Sequence, residues 1–459
     1  MRNYKIKLAA IARDEAAYLP EWIFHHLYFG FDEIEIYVNN TSDNTANLLK
    51  KVRLMPVKIV DADRLFKTSR GDFQFRAYQQ AASKAKADGF SHIMFLDIDE
   101  FWTPRDFTTS IHAAIDQFQN PQVLSFHWLL HCDEDKYSNC YKPSILVKQS
   151  DHLKTIFKTD APWTSIGCHN IIGDGLDYRA ADGSKLSFDD DDVHRATAKP
   201  SDAKIASFFV MHRMFRSEME YISLLGRGRP SSLKVKNNRP GYYSKFSNLT
   251  QIEIDKKVLE SYYSSYNDFI LKYSLSAEIS KAQDFVRNRF NYVLDLARKA
   301  DGEDALTFHK VFDSINIHEV KELRAQLEQK MLVEKLVRDQ SQDYSFKLFV
   351  LFLKARLWRK LNRTEKAYQC FAQAANLLSN RKRIVNADLV QIVLEKNEYP
   401  PGKMANIHRD IARELSRSGH YEDAFSFIDK ALELRPQGSL IQKLHASIRN
   451  KMNKQIRLK

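Results

Sequence analysis

His92-Ile93-Met94-Phe95-Leu96-Asp97-Ile98-Asp99-Glu100-Phe101-Trp102 is the stretch on which the fold turns. Its apolar opening is too short for a helix and reads as a buried strand, and its acidic residues come where that strand must emerge from a sheet. Working outward, short apolar runs alternate with helix-like ones: KIKLAAIA (5–12), EAAYLPEWIFHHLYFG (15–30), EIEIYVNN (33–40), NTANLLKKVR (44–53), VKIVDA (57–62) and QFRAYQQAASKAKADG (74–89). That alternation predicts an α/β fold, an open sheet with helices on both faces. Polar residues end the strands at Arg13-Asp14-Glu15, Asn39-Asn40, Asp61 and Asp97-Ile98-Asp99, and the carboxyl edge of such a sheet is where ligands bind.

Residues 121–215 read as further short strands, VLSFHWLL, SILVK and SFFVMHR, broken by polar loops. They form the acceptor side of the same domain in this reading. From Leu249 onward the pattern is helical, with few glycines and long amphipathic runs. In the last third, Gly419, Tyr421, Ala424, Ala431 and Pro436 stand at the spacings of a tetratricopeptide unit, and Ala355, Asn362, Ala367 and Ala374 hold equivalent places in a preceding hairpin. Two units fall short of a free-standing array, so they would pack on the preceding helices; a plain helical bundle with accidental alanine spacing is the competing reading. The expected domains are residues 1–245, a helical extension over 246–340, and an all-α tetratricopeptide-like domain over 341–459.

The 459 residues carry a net charge of +12, which suits an anionic partner: nucleic acid, an acidic membrane surface or a phosphorylated substrate. No finger motif or aromatic-interleaved basic patch is present, so nucleic acid is not the expected one. Cys132, Cys140, Cys168 and Cys370 have no C-x-x-C spacing, which fits a reducing compartment. The N-terminus lacks the pattern of a signal peptide, and no run approaches the roughly 18 apolar residues of a membrane span. A cytoplasmic protein is expected, held peripherally at the inner face of the cell membrane by its basic surface.

Asp97 and Asp99 are the core of the expected chemistry. Two carboxylates on one side of the emerging chain can converge on a hard divalent cation, Mn2+ or Mg2+, with a diphosphate supplying further oxygens. An ion placed so would stabilise the negative charge that grows on a departing nucleoside diphosphate. A solvated turn is the bland alternative for an isolated D-x-D.

Three stretches in this order, IARDEAAYLPEWIFHHLYFGFDEIEIYVNNTSDNT, FLDIDEFW and HRMFRSEMEYISLLGRG, carry a resemblance to glycosyltransferases of the family 2-like and family 92-like GT-A groups, from Lys5 to Gly228. The resemblance implies a GT-A open mixed sheet, and a nucleotide pocket at Arg13, Glu15 and Asn40, with Asp61 as a base or ribose contact. It matches Gln74, Ala77 and Tyr78 to the helix leading into the acidic strand, with Arg76 beside them able to reach a phosphate. His212 resembles a metal- or diphosphate-binding histidine; Arg216, Ser217, Glu218, Arg227 and Gly228 belong to its block, and Arg227 could pair with a diphosphate. Lys154 and His169 resemble residues near an acceptor cleft. Trp128 or Trp163 could stack on a sugar face, with core packing as the alternative. The chain departs from the pattern at Asn40, where many members have aspartate, at Arg213, where tyrosine is usual, and in LLHCDEDKY after Trp128.

An inverting transferase needs a carboxylate to accept the proton of the attacking hydroxyl, and Asp133, Glu134 and Glu218 are the candidates, the first two preferred. The expectation is transfer of a hexose from a UDP-sugar to a hydroxyl of a glycan or glycolipid, in bacterial surface-polysaccharide or lipopolysaccharide synthesis. The C-terminal helices would serve dimerisation, a protein partner or acceptor presentation. Two other classes stay open: a metal-dependent phosphatase of the haloacid dehalogenase type, and a helical-repeat adaptor with an inactive sugar-nucleotide-binding domain.

Overall fold

The computed structural model describes residues 4–69, 71–131, 135–189, 191–200, 205–228, 235–236, 239, 241–242, 248–339, 370, 373, 401–417, 419 and 421–457. The chain divides into two compact units, Met1–Glu328 and Gln329–Lys459. The expected bases Asp133 and Glu134, and the first helical hairpin with Ala355, Asn362, Ala367 and Ala374, lie outside the described residues.

The first unit is built on a mixed sheet. Strands β1 (Ile6–Ala12), β2 (Glu33–Val38), β3 (Val57–Asp61) and β4 (His92–Phe95) are parallel in the order β3-β2-β1-β4. Helices α1 (Leu19–Tyr28), α2 (Thr45–Lys51), α3 (Asp63–Thr68) and α4 (Phe73–Ala87) fill the connections. Alternation along β1 sends Ile6, Leu8 and Ala10 into one core with Trp22, Ile23 and Leu48, while Ala9 meets Ala77, Tyr78 and Ala81 of α4 on the other face. Helices therefore cover both faces, as the alternation of runs predicts.

Beyond β4 the sheet continues through β7 (Ser144–Lys158), β6 (Val123–Leu130), β11 (Phe208–His212) and β5 (Glu100–Pro104). Both β4 and β6 run antiparallel to β7, while β6 and β11 are parallel and β5 is antiparallel to β11. Short strand β10 (Tyr178–Ala180) flanks β6, β12 (Thr250–Glu253) flanks β7, and β8 (Ser165–Ile166) pairs with β9 (Ile171–Ile172) as a separate hairpin. Helix α5 (Ile111–Gln117) follows β5, with its N-terminus capped by the Ser110 hydroxyl.

Helices α6 (Glu218–Leu225), α7 (Lys256–Lys272), α8 (Ser276–Arg298), α9 (Gly302–Val311) and α10 (His318–Asp339) complete the described chain up to residue 339. Residues 246–328, read from sequence as an extension, are part of the first compact unit. Tyr262 and Phe269 of α7 are buried in the main core. Gly226 lets α8 lie against α6: a Cβ there would come within 2.7 Å of Val293 Cγ2 and 3.0 Å of Arg289 Cγ.

In the second unit, α11 (Pro401–Arg417), α12 (Tyr421–Leu434) and α13 (Ser439–Arg457) pack around Ile411, Phe427, Ile428 and Ile448. Ala405, Ala412, Ala424 and Ala431 are fully buried, as small residues at a close helix crossing should be. Gly419 takes a φ of +86° between α11 and α12, and Pro436 follows the end of α12. No helix among the described residues is long and apolar enough to cross a membrane.

Candidate active site

Strand order reverses at β1. The chain leaves β1 to build β2 and β3 on one side and returns to place β4 on the other, so a crevice opens where the carboxyl ends of β1 and β4 diverge. Arg13-Asp14-Glu15 and Asp97-Ile98-Asp99 emerge into that crevice.

The acidic stretch is a tight turn rather than an extended strand end. The strand stops at Phe95, Glu100 N donates to Asp97 O at 3.0 Å, and β5 begins at once. Trp22 Nε1 of α1 donates to Asp97 O at 3.1 Å and Glu100 O at 2.9 Å. The two histidines of α1 grip the next strand: His25 Nε2 donates to Trp102 O at 2.8 Å and His26 Nε2 accepts from Trp102 N at 3.2 Å. Burial keeps both imidazoles neutral, with His25 pushed down to about 3. The EW and HH of the first stretch thus act by fixing the acidic turn.

Below the turn lies a buried ion pair. Lys154 Nζ of β7 meets Glu100 Oε2 at 2.9 Å and Asp97 Oδ2 at 3.4 Å. Glu100 Oε2 also accepts from Asp97 N at 2.8 Å, while its Oε1 is buried without a partner. Burial pushes Glu100 up to about 7, more than Lys154 pulls it down. Lys154 is held above its ordinary value: burial opposes its charge, and Asp97 and Glu100 outweigh it. The resemblance implied a place near an acceptor cleft for Lys154. With its side chain 1% exposed it instead braces the turn from beneath.

Asp97 and Asp99 face different neighbours. Asp97 is 44% exposed over Lys154, whereas Asp99 turns to His212, with Nε2 and Oδ2 3.7 Å apart. The joint grip expected of the two carboxylates is not what this geometry offers. Burial opposes the charge on Asp99, but His212, Arg216 and Arg239 hold it well below the usual carboxylate range. At 3.7 Å the pair is too far apart for a hydrogen bond and within the span of two ligands sharing one ion at about 2.1 Å each. Among the described residues no three His, Cys, Asp or Glu side chains are placed to hold a metal. An ion here would take two protein ligands and complete its shell with water and phosphate oxygens, the habit of Mg2+ at phosphate sites.

Trp128 braces His212. Its ring centroid is 4.3 Å from that of His212, it is stacked on His152 at 4.9 Å and 10°, and His169 lies at 5.0 Å. The face under His152 is closed to a sugar, so the stacking platform expected of Trp128 is at best half available. His169 is tied to Leu153 O by Nδ1 at 3.0 Å and pushed down to about 4 by burial, then by Lys154. Trp163 packs against the second-face core, the bland alternative for it.

Asp14, Asn40 and Arg216 all sit at positive φ, 53°, 47° and 52°, a strained setting for arginine above all. Asp14 is caged: Oδ1 accepts from Ser42 N at 2.6 Å and Ser42 Oγ at 3.0 Å, and Oδ2 meets Arg289 Nη1 of α8 at 3.2 Å. Its neighbour Glu15 takes Arg216 Nη2 at 3.1 Å and also Arg227, whose Nη1 donates to Arg13 O at 3.2 Å. Each of these carboxylates is thereby matched by an arginine. Lys236 and Arg239 have no such partner among the described residues, and Arg239 Nε and Arg13 Nε are buried without hydrogen bonds. Burial, then repulsion from Arg227 and Arg239, pushes Lys236 down to about 7; burial also lowers Arg239. Asp99 offsets these desolvated cations only in part, and a polyanion entering beside it would supply the rest of the counter-charge.

Lys236, Arg239 and Arg289 were not legible from the sequence. The first two lie past Gly228, where the resemblance stops, and Arg289 is one arginine among many on a helix. Other expected residues are dispersed along the rim. Asn40 N donates to Asp63, Asp61 Oδ1 accepts from Asp63 N at 3.0 Å, and both Asn40 and Asp61 are exposed. Gln74 Nε2 donates to the hydroxyl of Tyr78, which is buried and stacked on Phe95 at 4.1 Å, and Arg76 is exposed on α4. Glu218 is engaged elsewhere: its two oxygens accept from Asn316 N at 2.8 Å and Ile317 N at 3.0 Å, ahead of α10, which removes it from the base role. Arg213, at the departure from tyrosine, pairs with Glu21 at 3.2 Å, and its N donates to Asp99 O at 2.8 Å.

An open mixed sheet with an acidic turn at its switch point and a cationic wall facing it defines a transferase domain of the GT-A type. Residues 9–158 match the family model of glycosyltransferase family 92, and the protein is a glycosyltransferase, which sets the phosphatase reading aside. Residues 326–454 match the model for the HEAT repeats of nucleoporin Nup120, another architecture of paired helices, where the spacing had suggested tetratricopeptide units. No curated protein matches the chain.

Proposed function

We propose that the first unit transfers a hexose, with inversion, from a UDP-sugar to a hydroxyl of a glycan or glycolipid, using Mn2+ or Mg2+. The observation that carries the diphosphate part of this reading is the excess of cations around Asp99: Lys236 and Arg239, each half-buried, make no ion pair among the described residues, and Arg239 Nε is buried without a hydrogen bond. Asp99 and His212 would hold the ion, which on binding neutralises charge on the departing diphosphate. Arg227, Lys236 and Arg239 would take the remaining phosphate charge in a site of low polarity, where each contact is strengthened. Asp97, the most exposed of the acidic turn, would reach the donor sugar, and Lys154 would hold it there. Arg13, Glu15, Asn40 and Asp61 would line the nucleotide side, Asn40 offering both donor and acceptor to a uracil edge. Asp133 or Glu134 would accept the proton of the attacking hydroxyl. The biological setting in this reading is bacterial surface-polysaccharide or lipopolysaccharide synthesis.

A screen of nucleotide sugars for release of diphosphate, with and without Mn2+, tests the reading. Mn2+-dependent release from a UDP-sugar, lost in Asp99→Asn, is expected. Heat stabilisation by UDP plus Mn2+ without release from any donor would favour the inactive-adaptor alternative instead.

A further inference from the structure

The net positive charge of this protein resides at one end of the chain. Gln329–Lys459 holds 26 of the 70 Lys and Arg residues but only 13 of the 58 Asp and Glu, a balance of +13 against +12 for the whole sequence. The catalytic unit is therefore close to neutral, and its substrates do not account for the basic character. The segregation sharpens toward the C-terminus: residues 434–459 contain seven Lys and Arg and no Asp or Glu.

On the described helices this segment is turned to solvent. Ile441 and Ile448 anchor α13 in the core of the second unit, while Lys443, Arg449 and Lys451 are exposed along it, and Arg435 is exposed in the turn that precedes it. Two large apolar side chains break the polar surface at the same turn, Leu434 at 38% and Leu440 at 60% exposure. Glu433 is the one exposed acid beside them. Exposed leucines set among cations have little use against a nucleic-acid backbone, and no exposed aromatic lies on α13 to stack on a base. They suit a lipid surface, where cations meet anionic headgroups and aliphatic tips enter the acyl boundary.

We propose that the α12–α13 turn and α13 dock the protein on an anionic membrane surface. Cations along α13 supply the long-range attraction, and Leu434 and Leu440 supply a shallow apolar contact. The proposal stands apart from the donor chemistry, since none of these residues belongs to the catalytic unit.

Flotation of the full chain with vesicles tests it, comparing phosphatidylcholine alone with phosphatidylcholine containing about a third phosphatidylglycerol. Binding is expected only to the anionic vesicles and should be stripped at about 0.5 M salt. Each cation removed should weaken partition about fivefold, so the triple variant Arg435→Glu, Lys443→Glu, Arg449→Glu should lose more than about 100-fold. Leu434→Ser with Leu440→Ser should lose about tenfold. Helical circular dichroism and its thermal unfolding should match the parent, which shows that the second unit of each variant folds, and unchanged diphosphate release separates this result from the catalytic reading. Equal binding to both vesicle types, unchanged partition in the triple variant, or retention on a duplex oligonucleotide under salt that strips the vesicles would each overturn the proposal.

Discussion

Removing Lys154 should make the stability of the first unit steeply dependent on pH. Glu100 and Lys154 are 2.9 Å apart and 0% and 1% exposed, so solvent screens neither. In the native protein burial pushes Glu100 from its ordinary 4.5 up to about 7. A carboxyl raised in the folded state binds its proton more tightly there than in the unfolded chain. Its penalty is thus absent below pH 4.5, grows as pH rises, and levels off above pH 7 at about 3 kcal/mol. Lys154→Met deletes the cation that restrains the shift most, ahead of His212, so the pKa of Glu100 climbs further and the penalty continues to grow. The slope is about 1.4 kcal/mol per pH unit, which adds about 2 kcal/mol between pH 7 and pH 8.5. Urea unfolding followed by tryptophan fluorescence suits the measurement in a Trp358→Phe background, because the other four tryptophans, Trp22, Trp102, Trp128 and Trp163, all belong to the first unit. The double variant Lys154→Met, Glu100→Gln should lose the slope. A Lys154→Met deficit that is the same at pH 6, 7 and 8.5 would refute the reasoning.

Asp99→Asn should lower Mn2+-dependent diphosphate release by at least about 100-fold while leaving the melting temperature of the metal-free protein within a few degrees. Lys236 predicts that UDP binds more weakly as pH rises above 7: the free site holds a neutral amine there, the diphosphate selects the ammonium, and binding takes up a proton. Calorimetry with Mg2+ between pH 7.5 and 9 should show Kd rising toward tenfold per pH unit, and a flat profile in Lys236→Met. Gly226→Ala should destabilise the first unit by about 1–3 kcal/mol, because the new Cβ meets Val293 Cγ2 at 2.7 Å; unchanged urea stability would show that α8 can retreat without cost.

The division of labour between sequence and tertiary structure follows range. Period-2 and period-3.6 patterns are local, and they were enough to predict the alternating strands and helices through Phe95, the helical remainder, and the emergence of Asp97 and Asp99 at a strand end. The two-faced covering of the sheet follows from the same patterns. What an exposed acidic turn meets is decided by contacts distant in the chain. His212 faces Asp99 because β11 lies beside β5, which begins right after the turn. Lys154 supports Asp97 because β7 runs antiparallel to β4, and burial there converts a plausible substrate contact into a brace. Arg289 reaches Asp14 across 275 positions of sequence, through a close helix contact that one glycine permits. Charge balance on a desolvated atom depends on all its neighbours at once, which is why the lack of an ion-pair partner for Lys236 and Arg239 among the described residues could be seen only in three dimensions.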